Sequence, residues 1–161
     1  MAGKSFAAEY VQKVGGDIIK SRPFQAVEDQ KHHLRSTVGS HSLRVAQLCA
    51  FFCDCLSKAG VETEKEDLVK AALCHDLGMR GRYTKRYSSG RDIIKNHPLN
   101  SSDEAEKLLG ELTEMQREAI EKHMWPLCAD RRIRHKETAL ITIADKLCAI
   151  ADPLLAVKSN K

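Results

Sequence analysis

Histidine and aspartate side chains recur along this chain in a pattern that could hold a divalent metal ion. Each lies on or at the end of a predicted helical segment, and most fall on its apolar face, where an unpaired polar group is costly. Imidazole nitrogens and carboxylate oxygens are ligands that transition metals accept. The candidate metal ligands are His41, His75, Asp76, His97, His123 and Asp145.

Helical spacing places these side chains where a core should form. Residues three, four or seven apart share a helix face. His75 therefore shares a face with Ala71, and Asp145 shares one with Ile141. A lone histidine in such a position is usually a core residue with a hydrogen-bond partner. Six such groups, distributed over five segments, instead favour a metal site.

The elements that must position these residues are predicted to be helices throughout. We find helical periodicity nearly everywhere and no convincing strand pattern. We therefore predict an all-α fold, a single compact bundle of six or seven helices. Its 161 residues should form one domain, with a core motif region at 40–150 and an N-terminal helical extension at 1–39. The predicted helices run from about Phe6 to Lys20, Ser40 to Lys58, Thr63 to Asp76–Gly78, Pro98 to Gly110, Thr113 to Trp125 and Lys136 to Ala151.

Local signals set the predicted helix boundaries. Thr63 with Glu66, and Thr113 with Gln116, have capping-box spacing at two helix starts. Gly60 is a standard helix stop. Three further features are predicted to lie outside helices or to end them: a linking region around Pro23, a loop over residues 80–96, and a helix end at Pro153.

Composition limits the classes of protein to consider. Hydrophobic residues make up 42% and charged residues 30%, which is typical of a soluble domain. No apolar run has the length of a membrane span, and no signal-peptide stretch follows the N-terminus, so we expect a cytoplasmic location and no membrane partner. The six cysteines include no C-x-x-C pair. A net charge of +4 is too small to indicate a nucleic-acid partner, and we expect none.

A basic segment follows the His75-Asp76 pair and suggests an anionic substrate. Arginine side chains fit phosphate oxygens, and interleaved tyrosines could stack on a base or sugar. An ordinary solvated loop explains the same charges, but the position between two predicted ligands favours a substrate role. Lys146, beside Asp145, is a further phosphate candidate. The predicted substrate-binding residues are Arg80, Arg82, Lys85, Arg86 and Lys146, and the interleaved tyrosines are Tyr83 and Tyr87.

The ordered set of candidate ligands resembles the HD-domain superfamily of metal-dependent phosphohydrolases. The resemblance covers roughly Ser40 to Ile150. Its defining order is a histidine, then a His-Asp pair, then a late aspartate, which here correspond to His41, His75-Asp76 and Asp145. The resemblance implies that these four residues form the ligand shell of a first metal ion.

Two further histidines resemble those of the dinuclear branch of this superfamily. They are His97 and His123, and the resemblance implies that they bind a second ion with Asp76 as the bridge. It further implies a metal-activated water that attacks a small phosphomonoester or nucleotide, with His75 and Asp76 as the catalytic pair. The expected cofactors are one or two divalent ions of iron, manganese, zinc, cobalt or nickel. No organic cofactor is expected.

Two departures and two alternatives bear on this resemblance. Met79 stands where the HD-GYP phosphodiesterases carry lysine, and no Gly-Tyr-Pro follows His123, which counts against a cyclic dinucleotide substrate.

Mixed-valent di-iron oxygenases are similar in ligand order and fold. A non-catalytic module that senses a nucleotide or a metal is the third reading. The sequence leaves the oligomeric state open, with a homodimer among the options.

Overall fold

The protein is a bundle of helices, seen in a computed structural model that describes residues 2–30, 36–79, 87–128 and 132–158. Those residues contain no β-strand, and none of their helices is long and apolar enough to span a membrane. The predicted all-α class is therefore confirmed. The helices are α1 (Ala2–Ile19), α2 (Arg22–Glu28), α3 (Val38–Lys58), α4 (Lys65–Cys74), a 3-10 helix (Leu77–Met79), α5 (Gly90–Leu109), α6 (Glu114–Glu121) and α7 (Lys136–Lys158).

Helices α3 and α4 pack against each other at the centre of the bundle. Helix α3 also contacts α1, α2 and α7, while α4 also contacts α1 and α6. Leu68 and Leu73 of α4 are fully buried, as is Ile141 of α7. Each such side chain contributes about 1.5–3 kcal/mol of hydrophobic stabilisation relative to an exposed one. Burial of these side chains therefore stabilises the packing of α4 and α7, the helix before the His75-Asp76 pair and the helix that carries Asp145.

Two predicted boundaries match local hydrogen bonds. The side chains of Thr113 and Gln116 form the capping box that starts α6. Gly60 follows the end of α3 with a φ of +78°, a conformation that favours glycine. Helix α3 begins two residues before the predicted start, because Thr37 and Ser40 form a capping box that the sequence analysis did not identify.

Two other predictions are wrong near the N-terminal half. The region around Pro23 is the short helix α2, where Ser21 Oγ accepts from the N–H of Phe24 and proline suits the first turn. Thr63 and Glu66 form no capping box. Helix α4 instead has Glu64 at its N-cap, and the N–H of Glu64 donates to Glu137 Oε1 of α7 at 3.1 Å. A tertiary contact thus replaces the expected local cap.

Three boundaries in the C-terminal half also differ from the prediction. Helix α5 begins at Gly90, inside the predicted loop, because Ser89 Oγ accepts from the N–H of Asp92. Pro98 consequently lies inside α5 rather than in its first turn, and α7 likewise continues through Pro153. An internal proline costs about 3 kcal/mol in a helix, an amount that packing along the rest of a long helix can offset. Helix α6 ends at Glu121, four residues before Trp125.

Candidate metal centre

Five segments of the fold bring the six candidate ligands to one buried place. They come from α3, from the turn between α4 and the 3-10 helix, from α5, from the turn after α6 and from α7. None of the six is more than 9% exposed. In chain order they are His41, the adjacent His75 and Asp76, His97, His123 and Asp145.

A first group of ligand atoms lies around Asp145. Its Oδ1 is 2.9 Å from His41 Nε2 and 3.7 Å from His75 Nε2. One ligand atom from each of these three residues lies within 4.8 Å of the other two. This group could hold a metal ion, and it joins helices α3 and α7 to the end of α4.

A second group lies around Asp76. His75, Asp76 and His123 also offer ligand atoms within 4.8 Å of one another. Asp76 Oδ1 is 3.4 Å from His97 Nε2 and 3.7 Å from His123 Nε2, whereas Asp76 Oδ2 is 3.5 Å from His75 Nε2. The two oxygens of this carboxylate therefore face different histidines, and His75 borders both groups.

Hydrogen bonds to the backbone fix the orientation of three imidazoles. In His75, His97 and His123, ring Nδ1 donates to a carbonyl three or four residues earlier, at 2.7 Å in each case. A carbonyl can only accept, so in the neutral ring Nε2 carries the lone pair. Bonds of this kind typically orient imidazoles that bind metals. All three Nε2 atoms thus present lone pairs to the centre.

These lone pairs show that the side chains fit a cation. His97 Nε2 and His123 Nε2 are only 3.0 Å apart, and two acceptors at that distance repel unless a proton or a metal lies near them. His75 Nε2 is buried and has no hydrogen-bond partner among the described residues. An unsatisfied buried polar atom is costly. A bound metal ion would satisfy both features.

The surroundings set the charge states of the cluster. Burial, together with His75 and His97, lowers the pKa of His123 to about 3, so this imidazole is neutral. Burial alone would raise the pKa of Asp145, but its hydrogen bond with His41 and the nearby imidazole of His75 hold that pKa well below the usual range. Burial opposes protonation of His75, but the charge of Asp76 and the contact with Asp145 raise its pKa. The carboxylates of Asp76 and Asp145 therefore favour a positive charge beside His75, either a proton or a metal ion.

Lys146 is the one predicted substrate-binding residue that lies within the described part of the chain. Its Nζ donates to the backbone carbonyl of His123 at 3.3 Å and is 3.7 Å from Asp145 Oδ2. The side chain is 41% exposed, so it stands at the edge of the centre. Arg80, Arg82, Lys85 and Arg86 lie outside the described residues, as does Tyr83, and their roles stay predictions.

One supporting residue was missed by the sequence analysis. Glu118 of α6 is 7% exposed, and its Oε1 accepts from the N–H groups of Arg134 and His135 and from Thr138 Oγ1 at 2.9–3.0 Å. These bonds tie α6 to the start of α7, the helix that carries Asp145. The available signal was a carboxylate three residues after Met115, on the apolar face of α6.

The comparison with known proteins bears on this geometry. A family model described as HD domain matches residues 38–154, a range that includes all six candidate ligands. No curated protein and no solved structure matches the chain.

Proposed function

The chain belongs to the HD-domain family, and from this membership and the geometry of the centre we propose that it is a metal-dependent phosphohydrolase. HD domains are generally metal-dependent hydrolases. The observation that carries the proposal is that buried Nε2 lone pairs converge on two carboxylates. One of these atoms, His75 Nε2, has no hydrogen-bond partner among the described residues. The proposed substrate is a small phosphomonoester or a nucleotide.

We propose two metal positions that share Asp76. The first would be held by His41, His75, Asp76 and Asp145, and the second by Asp76, His97 and His123. The separate orientation of the two oxygens of Asp76 supports its role as the bridge. Imidazole and carboxylate ligands suit iron, manganese, zinc, cobalt or nickel.

The chain's own residues would prepare the site for hydrolysis. Bound divalent ions would supply a water molecule with a pKa lowered toward about 7. We assign the catalytic role to His75 and Asp76, because His75 borders both groups and Asp76 is the proposed bridge between the two ions. Lys146 would bind a phosphoryl oxygen from the rim as a compact positive charge. Arg80, Arg82, Lys85 and Arg86 are proposed to add phosphate contacts.

A screen of phosphorylated metabolites tests this function. Metal-free protein would be reloaded with manganese, cobalt or iron, and inorganic phosphate would be measured. We expect release that requires metal, and a kcat/KM lowered about tenfold or more by Lys146→Met, because one charged contact to the phosphate is lost. Lys107→Met is the matched control, since Lys107 is an exposed lysine of α5 with an exposed salt bridge. Metal-loaded protein that releases no phosphate from any substrate contradicts the proposal.

The same preparations distinguish the two alternatives. Oxygen uptake together with a mixed-valent iron signal in electron spin resonance would identify a di-iron oxygenase. A nucleotide that binds tightly and is recovered unchanged after hours would identify a sensor. Colourless protein that works with manganese and without iron would exclude the oxygenase.

A further inference from the structure

We propose that Ser101 is a positioning residue that sets the spacing between Asp76 and His97, and thereby the second metal position. The inference rests on the proposed dinuclear centre and deepens it. Ser101 is not one of the candidate ligands. It would act through the backbone of Gly78, in the 3-10 helix that follows the His75-Asp76 turn.

Ser101 links the two chain segments that carry these ligands. It is fully buried on α5, one helical turn after His97. Its Oγ accepts from the N–H of Gly78 at 2.8 Å, and Gly78 lies two residues after Asp76. One hydrogen bond therefore joins the segment of Asp76 to the helix of His97.

Close packing makes this link rigid. A Cβ atom at Gly78 would lie 2.4 Å from the carbonyl oxygen of His97 and 2.6 Å from the nitrogen of Ser101, so the 3-10 helix and α5 meet backbone to backbone. The carbonyl of Gly78 accepts from the hydroxyl of Tyr87, which in turn accepts from Asn100 Nδ2 at 2.9 Å. Both polar backbone groups of Gly78 are thus bonded to α5 or to the residues just before it.

The second metal position depends on this packing more than the first does. His97 comes from α5, and its Nε2 is 3.4 Å from Asp76 Oδ1. Metal–ligand bonds are about 2.0–2.2 Å long and tolerate little displacement. The first position shares Asp76, but its other three ligands, His41, His75 and Asp145, come from α3, from the end of α4 and from α7, and none comes from α5. Loss of the Ser101 bond should therefore weaken mainly the binding of the second ion, since both Asp76 and His97 lie on the segments that this bond joins, whereas the first ion keeps three ligands from elsewhere.

The neighbouring serine provides a matched control. Ser102 is also buried on α5, but its Oγ donates to Glu121 Oε1 of α6 at 3.0 Å. Replacing either serine by alanine removes one hydroxyl and one hydrogen bond of the same helix. Only Ser101→Ala removes a bond to Gly78, so a general effect of destabilising α5 would appear in both variants.

The test is a titration of manganese into metal-free wild type, Ser101→Ala and Ser102→Ala, followed by calorimetry and electron spin resonance. We expect Ser101→Ala to bind the first ion within about threefold of wild type and the second about 10–100-fold more weakly, as for the loss of other groups that orient ligands. The signal of the coupled manganese pair should disappear. Ser102→Ala should behave as wild type. In metal-free protein, the Gly78 amide should exchange hydrogen faster in Ser101→Ala alone.

Several outcomes overturn the inference. It fails if Ser101→Ala binds both ions as wild type does, if it weakens both equally, or if Ser102→Ala shows the same loss. If Ser101→Ala does not fold, Tyr87→Phe tests the same inference. Tyr87 is half-buried, and this substitution removes only the hydroxyl that donates to the carbonyl of Gly78. That variant should also lose affinity for the second ion alone, and an unchanged affinity overturns the inference. Wild type that takes up fewer than two ions contradicts the dinuclear function itself.

Discussion

Asp76→Asn is predicted to remove both metal ions from the centre. The substitution keeps the shape of the side chain, but it removes the charge and replaces one oxygen by an NH₂ group that cannot bind a metal. Asp76 Oδ2 faces His75 Nε2 at 3.5 Å, and Oδ1 faces His97 Nε2 at 3.4 Å. Whichever oxygen is lost, the remaining one lacks the charge that the bridge requires.

The size of the effect follows from linkage between metal binding and folding. A ligand at 100 times its Kd stabilises the native state by about 2.7 kcal/mol, so two sites that are each filled at this excess contribute about 5.4 kcal/mol. At roughly 2–4 °C per kcal/mol for a chain of this size, saturating metal should raise the Tm of wild type by about 10–20 °C. In Asp76→Asn this rise should nearly vanish.

Thermal unfolding with and without manganese measures the rise in Tm, and metal analysis of the purified protein measures the number of bound ions. Asp103→Asn is the matched control, since it removes the same charge from an exposed position of α5. It should keep two ions and the full Tm rise. Asp76→Asn protein that retains two ions, or that shows the wild-type rise in Tm, refutes the bridging role.

Three further predictions concern individual ligands, pH and packing. His97→Ala should leave one ion per chain, because only the second group loses a ligand; metal analysis that finds two ions or none is the contrary result. Metal affinity should increase with pH through about 6.5 and level off above the raised pKa of His75, since the proton and the ion compete for that imidazole. Calorimetric titrations across this range check the slope, and a flat profile contradicts it. Gly78→Ala should lower the free energy of unfolding by about 1–3 kcal/mol, because the added Cβ meets backbone atoms of α5. Gly16→Ala, which meets nothing within 4 Å in α1, should raise it by about 0.5–1 kcal/mol. Urea denaturation measures the free energy of unfolding of both variants, and equal changes in the two would contradict the packing argument.

The sequence predicted the buried faces better than it predicted the partners across them. Helical spacing indicated that His41 and Asp145 are buried, and both are. It could not show that residues 104 positions apart are hydrogen bonded, because spacing along one helix contains no information about another. Only the family resemblance implied that these two residues belong to the same metal position.

The predicted helix boundaries were wrong where another signal in the chain competed with the local one. Proline is common in a first helical turn, which favours a start at Pro98, but the side chain of Ser89 caps the helix eight residues earlier, at Gly90. His97 was consequently expected at a helix start, whereas it lies within α5. The cap expected from Thr63 does not form: α4 has Glu64 at its N-cap, and the N–H of Glu64 donates to Glu137, from a distant part of the chain.

Anomalous scattering from crystals grown with manganese tests the central claim most directly. The account predicts two manganese peaks about 3.5–4 Å apart, one on each side of Asp76. One should be bonded to His41 and Asp145, and the other to His97 and His123. A single peak, or peaks that bind none of these side chains, would contradict the dinuclear centre.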